Sequence, residues 1–332
     1  MKMVKIGVIF TGGTISMKVD ERLKSAIPAL SDEEIMATVS GIDRIAEIES
    51  VHFGSFPSPH ISIDKMFELD KLVKIFQSRS DIDGIVITHG TDSLEETAYF
   101  LDLLNDSDKP TVVTGAMRNG SELGYDGPAN LSAAICTACS KDSKGQGVLV
   151  VMNNQVYGAD EVAKVHTMSL DTFQSPDFGP LGIIDQDQVI YYRQRKYQLA
   201  GIQARSHRKV GLVKSVAGDD GALVDFMVDQ GYEGIVIEAM GRGNVPPAMV
   251  DGIDRAIQSH IPVVIVSRCL KGRVLDSYGY RGGGKDLRNR GVILGENLSG
   301  QKARIKLMLL LNVTSDMKEI RDKFEADLYN IL

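Results

Sequence analysis

Two short segments of the sequence place hydroxyl groups where they could act on a substrate. The first, TGGTIS (residues 11–16), directly follows an apolar stretch. Its two glycines allow a sharp turn, so the hydroxyl of Thr14 can project into a cleft. The pattern lacks both the GxGxxG spacing and the lysine of phosphate-binding loops. A catalytic hydroxyl and a turn without function therefore both remain open for this segment.

The second segment, THGTD (residues 88–92), also follows an apolar stretch, and it precedes a helical pattern. Thr91, near the start of that helix, would have backbone N–H groups close by, which suit a carboxylate or an oxyanion. Asp92 beside it supplies a negative charge suited to an ammonium group. The alternative is that Thr91, Asp92 or Ser93 only caps the helix. One cap needs one such residue, whereas this string offers three together with a histidine.

A lysine could assist one of these hydroxyls. Lys164 lies in VAKVHT, residues 162–167. Most lysines are solvated surface charges, but a lysine buried against a hydroxyl can serve as the base that activates it. The sequence alone does not place Lys164 beside Thr91.

The elements that must position these groups alternate between strand and helix. Strands are predicted at residues 5–10, 84–88, 111–115 and 147–152, and helices at residues 31–39, 63–79 and 93–104. The first helix has Ser31 and Glu34 in capping-box spacing. This alternation indicates βαβ units and a mainly parallel sheet. Ligands bind such sheets beyond the carboxyl ends of the strands, where TGGT and THGTD fall.

The length of 332 residues is too great for one ordinary core, so two domains are expected. A second set of elements has strands at residues 209–214, 234–237 and 262–267 and helices at residues 221–231, 246–259, 299–311 and 316–328. We predict an α/β fold whose larger N-terminal domain, residues 1–192, has a mainly parallel sheet flanked by helices. A polar linker, residues 193–208, leads to a smaller C-terminal α/β domain, residues 209–332.

Composition and charge argue against several classes of protein. The net charge of -7 and the lack of a Lys/Arg run with interleaved aromatic residues disfavour a nucleic-acid partner. No stretch approaches the ~18 apolar residues that a membrane span requires. The apolar residues 5–10 run straight into a glycine-rich turn without a cleavage pattern, which favours a buried strand over a signal peptide. We therefore expect a cytoplasmic protein with no membrane or nucleic-acid partner.

The cysteines and histidines predict neither a disulfide framework nor a metal site. The three cysteines are an odd count. Cys136 and Cys139 have the CxxC spacing of redox motifs and zinc knuckles, but they lie in a helix-like stretch rich in small residues. No second ligand pair is visible nearby. Since the six histidines are scattered singly, we expect no metal and no cofactor.

Several motifs together resemble the bacterial-type L-asparaginases. Besides TGGTIS, THGTDSLEETAYFL and VAKVHT, the similar segments are DGPANL (126–131), FGPLG (178–182), GRGN (241–244) and QKAR (301–304). They run in family order from near residue 6 to beyond residue 304, and the pairing of TGGTI with THGTD is highly specific. The resemblance implies an amidohydrolase of linear amides that converts L-asparagine to L-aspartate and ammonia.

The resemblance also implies roles for individual residues. Thr14 matches the nucleophile that attacks the amide carbon and forms an acyl-enzyme, which water then hydrolyses. Thr91 matches a second catalytic threonine, with Lys164 as its basic partner and Asp92 completing the set. Asp92 would also hold the α-ammonium group of the substrate.

Further matches imply substrate binding and assembly. Ser58, in PSPH (57–60), would hold the α-carboxylate, with Ser55 a rival for that place, and Pro59 lies beside it. Asn244 matches an asparagine that reaches the site of a neighbouring subunit. The resemblance therefore implies a homo-oligomer, a dimer or a homotetramer of intimate dimers.

Three positions depart from the family pattern. Ala26 stands where a tyrosine usually assists the first threonine, and the sequence has no tyrosine between Thr14 and Tyr99. Arg281 stands at or beside an inter-subunit glutamate, and Pro59 replaces a polar residue. Three explanations stay open, of which the first two are local compensation, for example by a tyrosine or another acid, and a related amide or cyclic amide with altered amino-group recognition. Weak or lost activity is the third possibility.

The main alternative from another class is a binding protein that closes on a small ligand. It would keep Asp92 and Ser58 but would have no need of Lys164 and two threonines. An ammonia-supplying amidotransferase subunit and a phosphate-loop NTPase fit less well, since only ten residues precede Thr11 and the NTPase lysine motif is missing.

Overall fold

The computed structural model describes residues 3–195 and 199–325. The chain divides into two units, Met1–Gly201 and Ile202–Leu332. The division falls inside the predicted linker, of which residues 196–198 lie outside the described residues. Arg195 anchors the start of this segment in the first unit, because its buried guanidinium pairs with Asp102 and Asp160 at 2.7 and 2.8 Å.

The first unit alternates strands and helices through its first half and ends in short strands. Its strands are β1 (Lys5–Gly12), β2 (Met17–Asp20), β3 (Ser25–Pro28), β4 (Glu47–Phe56), β5 (Gly84–Thr88), β6 (Thr111–Thr114), β7 (Val148–Met152), β8 (Gln155–Gly158), β9 (Ala163–Lys164), β10 (Phe173–Gln174), β11 (Gly182–Asp185) and β12 (Gln188–Tyr191). Its helices are α1 (Asp32–Ala37), α2 (Ile63–Ser78), α3 (Leu94–Leu104) and α4 (Gly127–Cys139).

An eight-stranded sheet organises this unit, in the order β12-β11-β8-β7-β6-β5-β1-β4. The neighbouring strands β4, β1, β5, β6 and β7 run parallel to one another. The pairs β7–β8, β8–β11 and β11–β12 are antiparallel. The central strands β5, β6 and β7 are buried at every position, which explains their continuous apolar, β-branched sequences. Because β1 and β5 are parallel neighbours, the segments that follow them emerge at the same edge of the sheet.

Serine residues cap the starts of two helices. Ser31 and Glu34 form the predicted capping box at the start of α1, and Ser62 accepts the N–H of Lys65 at the start of α2. Helix α3 buries ten of its residues, so it packs as a core helix against the sheet. Two small antiparallel ribbons, β2–β3 and β9–β10, lie outside the main sheet.

The second unit is a smaller α/β domain. Its elements are β13 (Val210–Lys214), α5 (Ala222–Asp229), β14 (Gly234–Ala239), α6 (Met249–Gln258), β15 (Val263–Ser267), α7 (Gly284–Arg290), β16 (Ile293–Leu294), α8 (Gly300–Val313) and α9 (Met317–Phe324). The four strands form a parallel sheet in the order β13-β14-β15-β16. The last predicted helix extended to residue 328, and its residues from 326 onward lie outside the described residues.

The predicted fold class is confirmed: a larger N-terminal α/β unit with a mainly parallel sheet precedes a smaller C-terminal one. Among the helices of residues 3–195 and 199–325, none combines the length and the apolar character needed to cross a bilayer.

Candidate active site

Three loops meet in close contact, the first two at the carboxyl ends of β1 and β5. Gly13 has φ +84, and a Cβ built on it would lie 2.4 Å from the Cα of Gly90. A Cβ built on Gly90 would in turn lie 2.8 Å from the Cβ of Ser58. A side chain at either glycine would therefore push the loops apart. These contacts bring TGGT, THGTD and PSPH into one site.

Thr14 begins a short 3-10 turn, Thr14–Ser16, immediately after this contact. The turn is closed by Ser16, whose N–H and hydroxyl both donate to the Gly13 carbonyl, at 3.0 and 2.9 Å. Ile15 is completely buried and Thr14 is half-buried. The side chain of Thr14 is thus carried on a fixed turn at the edge of the sheet where ligands bind.

Lys164 joins the two candidate residues that follow β5. Its Nζ donates to Thr91 Oγ1 at 2.9 Å and to Asp92 Oδ1 at 2.7 Å. Thr91 is buried, whereas the Asp92 side chain is 65% exposed and accessible to a ligand. An amine at hydrogen-bond distance from a hydroxyl can exchange a proton with it. The sequence did not show whether Lys164 lies beside Thr91, and in the structure the two side chains are in direct contact.

Ser58 is held against the same helix start. It is buried in the 3-10 turn Ser58–His60, and its Oγ accepts the N–H of Asp92 at 3.1 Å. Ser93 adds a second link, because its hydroxyl donates to the Ser58 carbonyl at 2.8 Å. Pro59, next in this turn, is exposed, and the rival Ser55 lies exposed on β4.

A buried histidine, His89, holds the THGTD loop in place through two hydrogen bonds. His89 is completely buried, and its Nδ1 and Nε2 lie 2.8 Å from the Gly90 carbonyl and 2.9 Å from Thr97 Oγ1. Burial lowers the pKa of His89 to about 4, so the ring is neutral near pH 7. A neutral ring can donate to the Gly90 carbonyl and accept from Thr97, which fixes the loop without adding charge to the site.

A buried carboxylate fixes the backbone of the lysine. Glu95 lies in the first turn of α3, shortly after Thr91, and its Oε2 accepts the backbone N–H of Lys164 at 2.8 Å. The first turn of α3 thus holds the backbone of Lys164, whose amine in turn donates to Thr91. Glu95 was not singled out in the sequence, where nothing distinguishes it from a solvated carboxylate; its burial is unusual for a glutamate.

A cavity of about 280 Å³ opens beside these groups and is lined by Asp92, Lys164, Val165, His166 and Thr167. The loop that forms its wall is closed by His166, whose Nδ1 accepts the N–H groups of Met168 and Ser169, each at 3.0 Å. A cavity of this volume suits a small molecule.

The remaining sequence candidates are carried by other elements of the chain. Asn244 is in the second unit, where its Oδ1 accepts the N–H of Gly284 at 3.3 Å. Arg281 lies in the same unit and pairs with Asp251 at 2.6 Å. Ala26 is exposed on β3, opposite Val19 on β2. A place for Asn244 in a neighbouring subunit's site stays a prediction.

Both halves of the chain match known families. The family model "Asparaginase, N-terminal" matches residues 5–197, and "Glutaminase/Asparaginase C-terminal domain" matches residues 209–324. The chain belongs to the asparaginase family. The resemblance seen in the sequence motifs is confirmed.

Individual relatives of this asparaginase-family chain are similar over nearly their whole length. It is 40% identical to the L-asparaginase of Bacillus licheniformis, covering 96% of this chain and 98% of that protein. It is 37% identical to the probable periplasmic L-asparaginase of Haemophilus influenzae, covering 96% and 92%. The structure of a probable cytoplasmic L-asparaginase from Campylobacter jejuni matches with a TM-score of 0.87 and 33% identity, covering 97% and 99%.

Proposed function

We propose that the chain hydrolyses the side-chain amide of L-asparagine to L-aspartate and ammonia through a threonine nucleophile. The contact of Lys164 Nζ with both Thr91 Oγ1 and Asp92 Oδ1, beside the Thr14 turn, carries the proposal. The family and its named L-asparaginase relatives support it. A protein that only bound a ligand would have no use for a lysine bonded to a buried threonine.

In the proposed reaction, Thr14 Oγ1 attacks the amide carbon and its proton passes to the departing nitrogen, which leaves as ammonia. The resulting ester is hydrolysed by water, which returns a proton to Thr14 and releases the carboxylate product. We assign the proton transfers that support these steps to the Thr91–Lys164 pair, because its amine and hydroxyl are already in contact at 2.9 Å.

Substrate binding is assigned to Asp92, in the loop before α3, and to Ser58 and Pro59, in the 3-10 turn that follows β4. The exposed carboxylate of Asp92 suits the α-ammonium group. Ser58 Oγ already accepts the Asp92 N–H, so its own proton can be donated to the α-carboxylate. Pro59 would contribute shape alone, since it has no polar side chain.

A related amide with altered amino-group recognition is the second candidate, favoured by Ala26 and Arg281. The structure weakens the argument from Arg281, because its charge is paired with Asp251 at 2.6 Å. Ammonia release from asparagine, glutamine, N-modified amides and cyclic amides separates the two candidates. Robust turnover of asparagine supports the first, and turnover of only a modified amide supports the second.

We also propose that the protein is a homo-oligomer, a dimer or a homotetramer, in which Asn244 serves a neighbouring subunit's site. Light scattering after size-exclusion chromatography measures the assembly. A mixing experiment tests Asn244: inactive Thr14→Ala and inactive Asn244→Ala subunits, unfolded and refolded together, should regain activity if one site uses residues of two subunits. Failure to regain activity in verified mixed oligomers contradicts the shared site.

For the compartment, we propose the cytoplasm. The similar Campylobacter jejuni protein is named cytoplasmic, while the Haemophilus influenzae relative is named periplasmic. Fractionation of the native host, followed by detection of the protein with an antibody, decides between the two compartments.

A further inference from the structure

A tyrosine from a distant loop reaches the turn that carries Thr14. The hydroxyl of Tyr125 donates to the backbone carbonyl of Ile15 at 2.6 Å, across 110 positions of sequence. Ile15 is the residue after Thr14 and the centre of the 3-10 turn Thr14–Ser16. Tyr125 thus touches the peptide chain next to the proposed nucleophile without belonging to any of the sequence motifs.

Tyr125 is itself held rigidly. Its own N–H donates to the Glu122 carbonyl at 3.2 Å, and its ring covers Gly127, where a Cβ would come within 2.4 Å of the ring. The neighbouring Asp126 ties the loop down, because its carboxylate accepts the N–H groups of Met117 and Arg118. The phenol is therefore presented to Ile15 by a fixed scaffold rather than by a mobile side chain.

The Tyr125 bond adds a restraint to the Thr14 turn at a position that the other bonds of the turn do not hold. It follows two glycines with left-handed φ angles, Gly12 at +100 and Gly13 at +84, and such residues have wide conformational freedom. The turn has no side-chain cap at its start. Its internal bonds run from Ser16 to Gly13 and from the Met17 N–H to the Thr14 carbonyl, and they leave the Ile15 carbonyl for another donor. The Tyr125 hydroxyl supplies that donor.

We propose that Tyr125 is a positioning residue that fixes the Thr14 turn in the orientation required for attack on the amide. The proposal rests on the proposed function, in which Thr14 is the nucleophile. Because the hydroxyl proton of Tyr125 is bonded to a carbonyl, Tyr125 orients the turn and carries no proton in the reaction. Burial raises the pKa of Tyr125 to about 12, which keeps the phenol protonated and able to donate.

Tyr125→Phe tests the proposal, because it removes only the hydroxyl. Tyr191→Phe is the matched control. Tyr191 is also a largely buried tyrosine, and its hydroxyl forms a hydrogen bond with Ser143 Oγ at 2.7 Å. It lies on β12, the edge strand opposite β4. We expect Tyr125→Phe to lower kcat for asparagine by about ten- to a hundredfold, since small misplacements of reacting groups have effects of this size. KM and the shape of the pH–rate profile should stay unchanged, and Tyr191→Phe should retain wild-type kcat.

Three results would overturn this proposal. One is a wild-type kcat for Tyr125→Phe, and another is an equal fall in kcat for both variants, which would indicate a general effect of stability. The third is a loss of the alkaline or acid limb of the pH–rate profile in Tyr125→Phe, which would mean that the phenol transfers a proton.

The Thr14→Ala variant separates this inference from the proposed function: if Thr14→Ala is inactive while Tyr125→Phe is fully active, only the positioning role fails. Activity in Thr14→Ala would reject the nucleophile and the positioning role together.

Discussion

The Cα of Gly90 packs so closely against Gly13 that a Cβ on Gly13 would lie only 2.4 Å from it. Two glycines from separate motifs are therefore complementary parts of one contact. This contact sets how close the Thr14 turn comes to Thr91 and Lys164, and the glycines are as much a part of the proposed site as the hydroxyls are.

Replacing Gly90 by alanine should disrupt this contact. The new Cβ would lie 2.8 Å from Ser58 Cβ and 3.1 Å from Gly13 Cα, so at least one loop must move. We expect activity to fall at least about a hundredfold and stability to fall by about 1–3 kcal/mol. Gly279→Ala is the control, because nothing lies within 4 Å of a Cβ there. Ammonia release and urea unfolding measure both effects; a fully active Gly90→Ala enzyme would show that the loops need not be so close.

Removing the amine of Lys164 should abolish most of the activity. Lys164→Met keeps the length of the side chain but loses both hydrogen bonds, to Thr91 and to Asp92. We expect kcat to fall by about 10²–10⁴, the usual contribution of a proton-transfer group. Lys74→Met is the control, since Lys74 pairs with Asp70 on the same helix, α2. A Lys164→Met variant within tenfold of the wild-type kcat would remove the lysine from the proposed chemistry.

The buried His89 should make folding stability depend on pH. Its pKa is about 4 in the folded protein and near 6.5 in the unfolded chain, so the unfolded chain binds more protons between these values. The stability associated with neutral His89 is fully present above pH 6.5 and falls as the pH drops toward 4, by about 3 kcal/mol in all.

The measurement is the free energy of unfolding between pH 4.5 and 7.5 for the wild type and for His89→Gln. The wild type should lose stability more steeply on acidification, by up to about 1.4 kcal/mol per pH unit. Parallel curves for the two proteins would mean that His89 does not titrate in this way.

Glu95 should affect catalysis through the backbone of Lys164. Glu95→Ala removes the acceptor for the Lys164 N–H, whereas Glu95→Gln keeps an oxygen that can accept it. We expect Glu95→Ala to lower kcat by about tenfold or more with a smaller effect on KM, and Glu95→Gln to lie closer to the wild type. Steady-state kinetics with asparagine measure both variants. Equal kcat values in Glu95→Ala and the wild type would argue against this positioning.

Much of the fold could be predicted from the sequence because the central strands have a simple physical signature. Strands β5, β6 and β7 are buried throughout and are built from apolar, β-branched residues, so their predicted and observed bounds agree within a residue. Strand β4 was not predicted. It mixes charged, polar and apolar residues because it lies at the edge of the sheet, where its environment is only partly buried.

The short antiparallel strands β8 to β12 were also missed, since strands of two to four residues carry too little periodicity to be seen.

In the site, the motifs identified the hydroxyls and the lysine, but local patterns do not define contacts across long sequence separations. Lys164 reaches Thr91 across 73 positions, and Tyr125 reaches Ile15 across 110. Tyr125 and Glu95 therefore became visible only in the folded chain.

Identification of the acylated residue decides whether Thr14 is the nucleophile. Protein mixed with asparagine is quenched in acid, digested and examined by mass spectrometry for an aspartyl ester, with Thr14→Ala and Lys164→Met treated in parallel. We expect an ester on Thr14 in the wild type, and neither an ester nor ammonia release in Thr14→Ala. An ester on another residue, or ammonia release by Thr14→Ala at the wild-type rate, would contradict it.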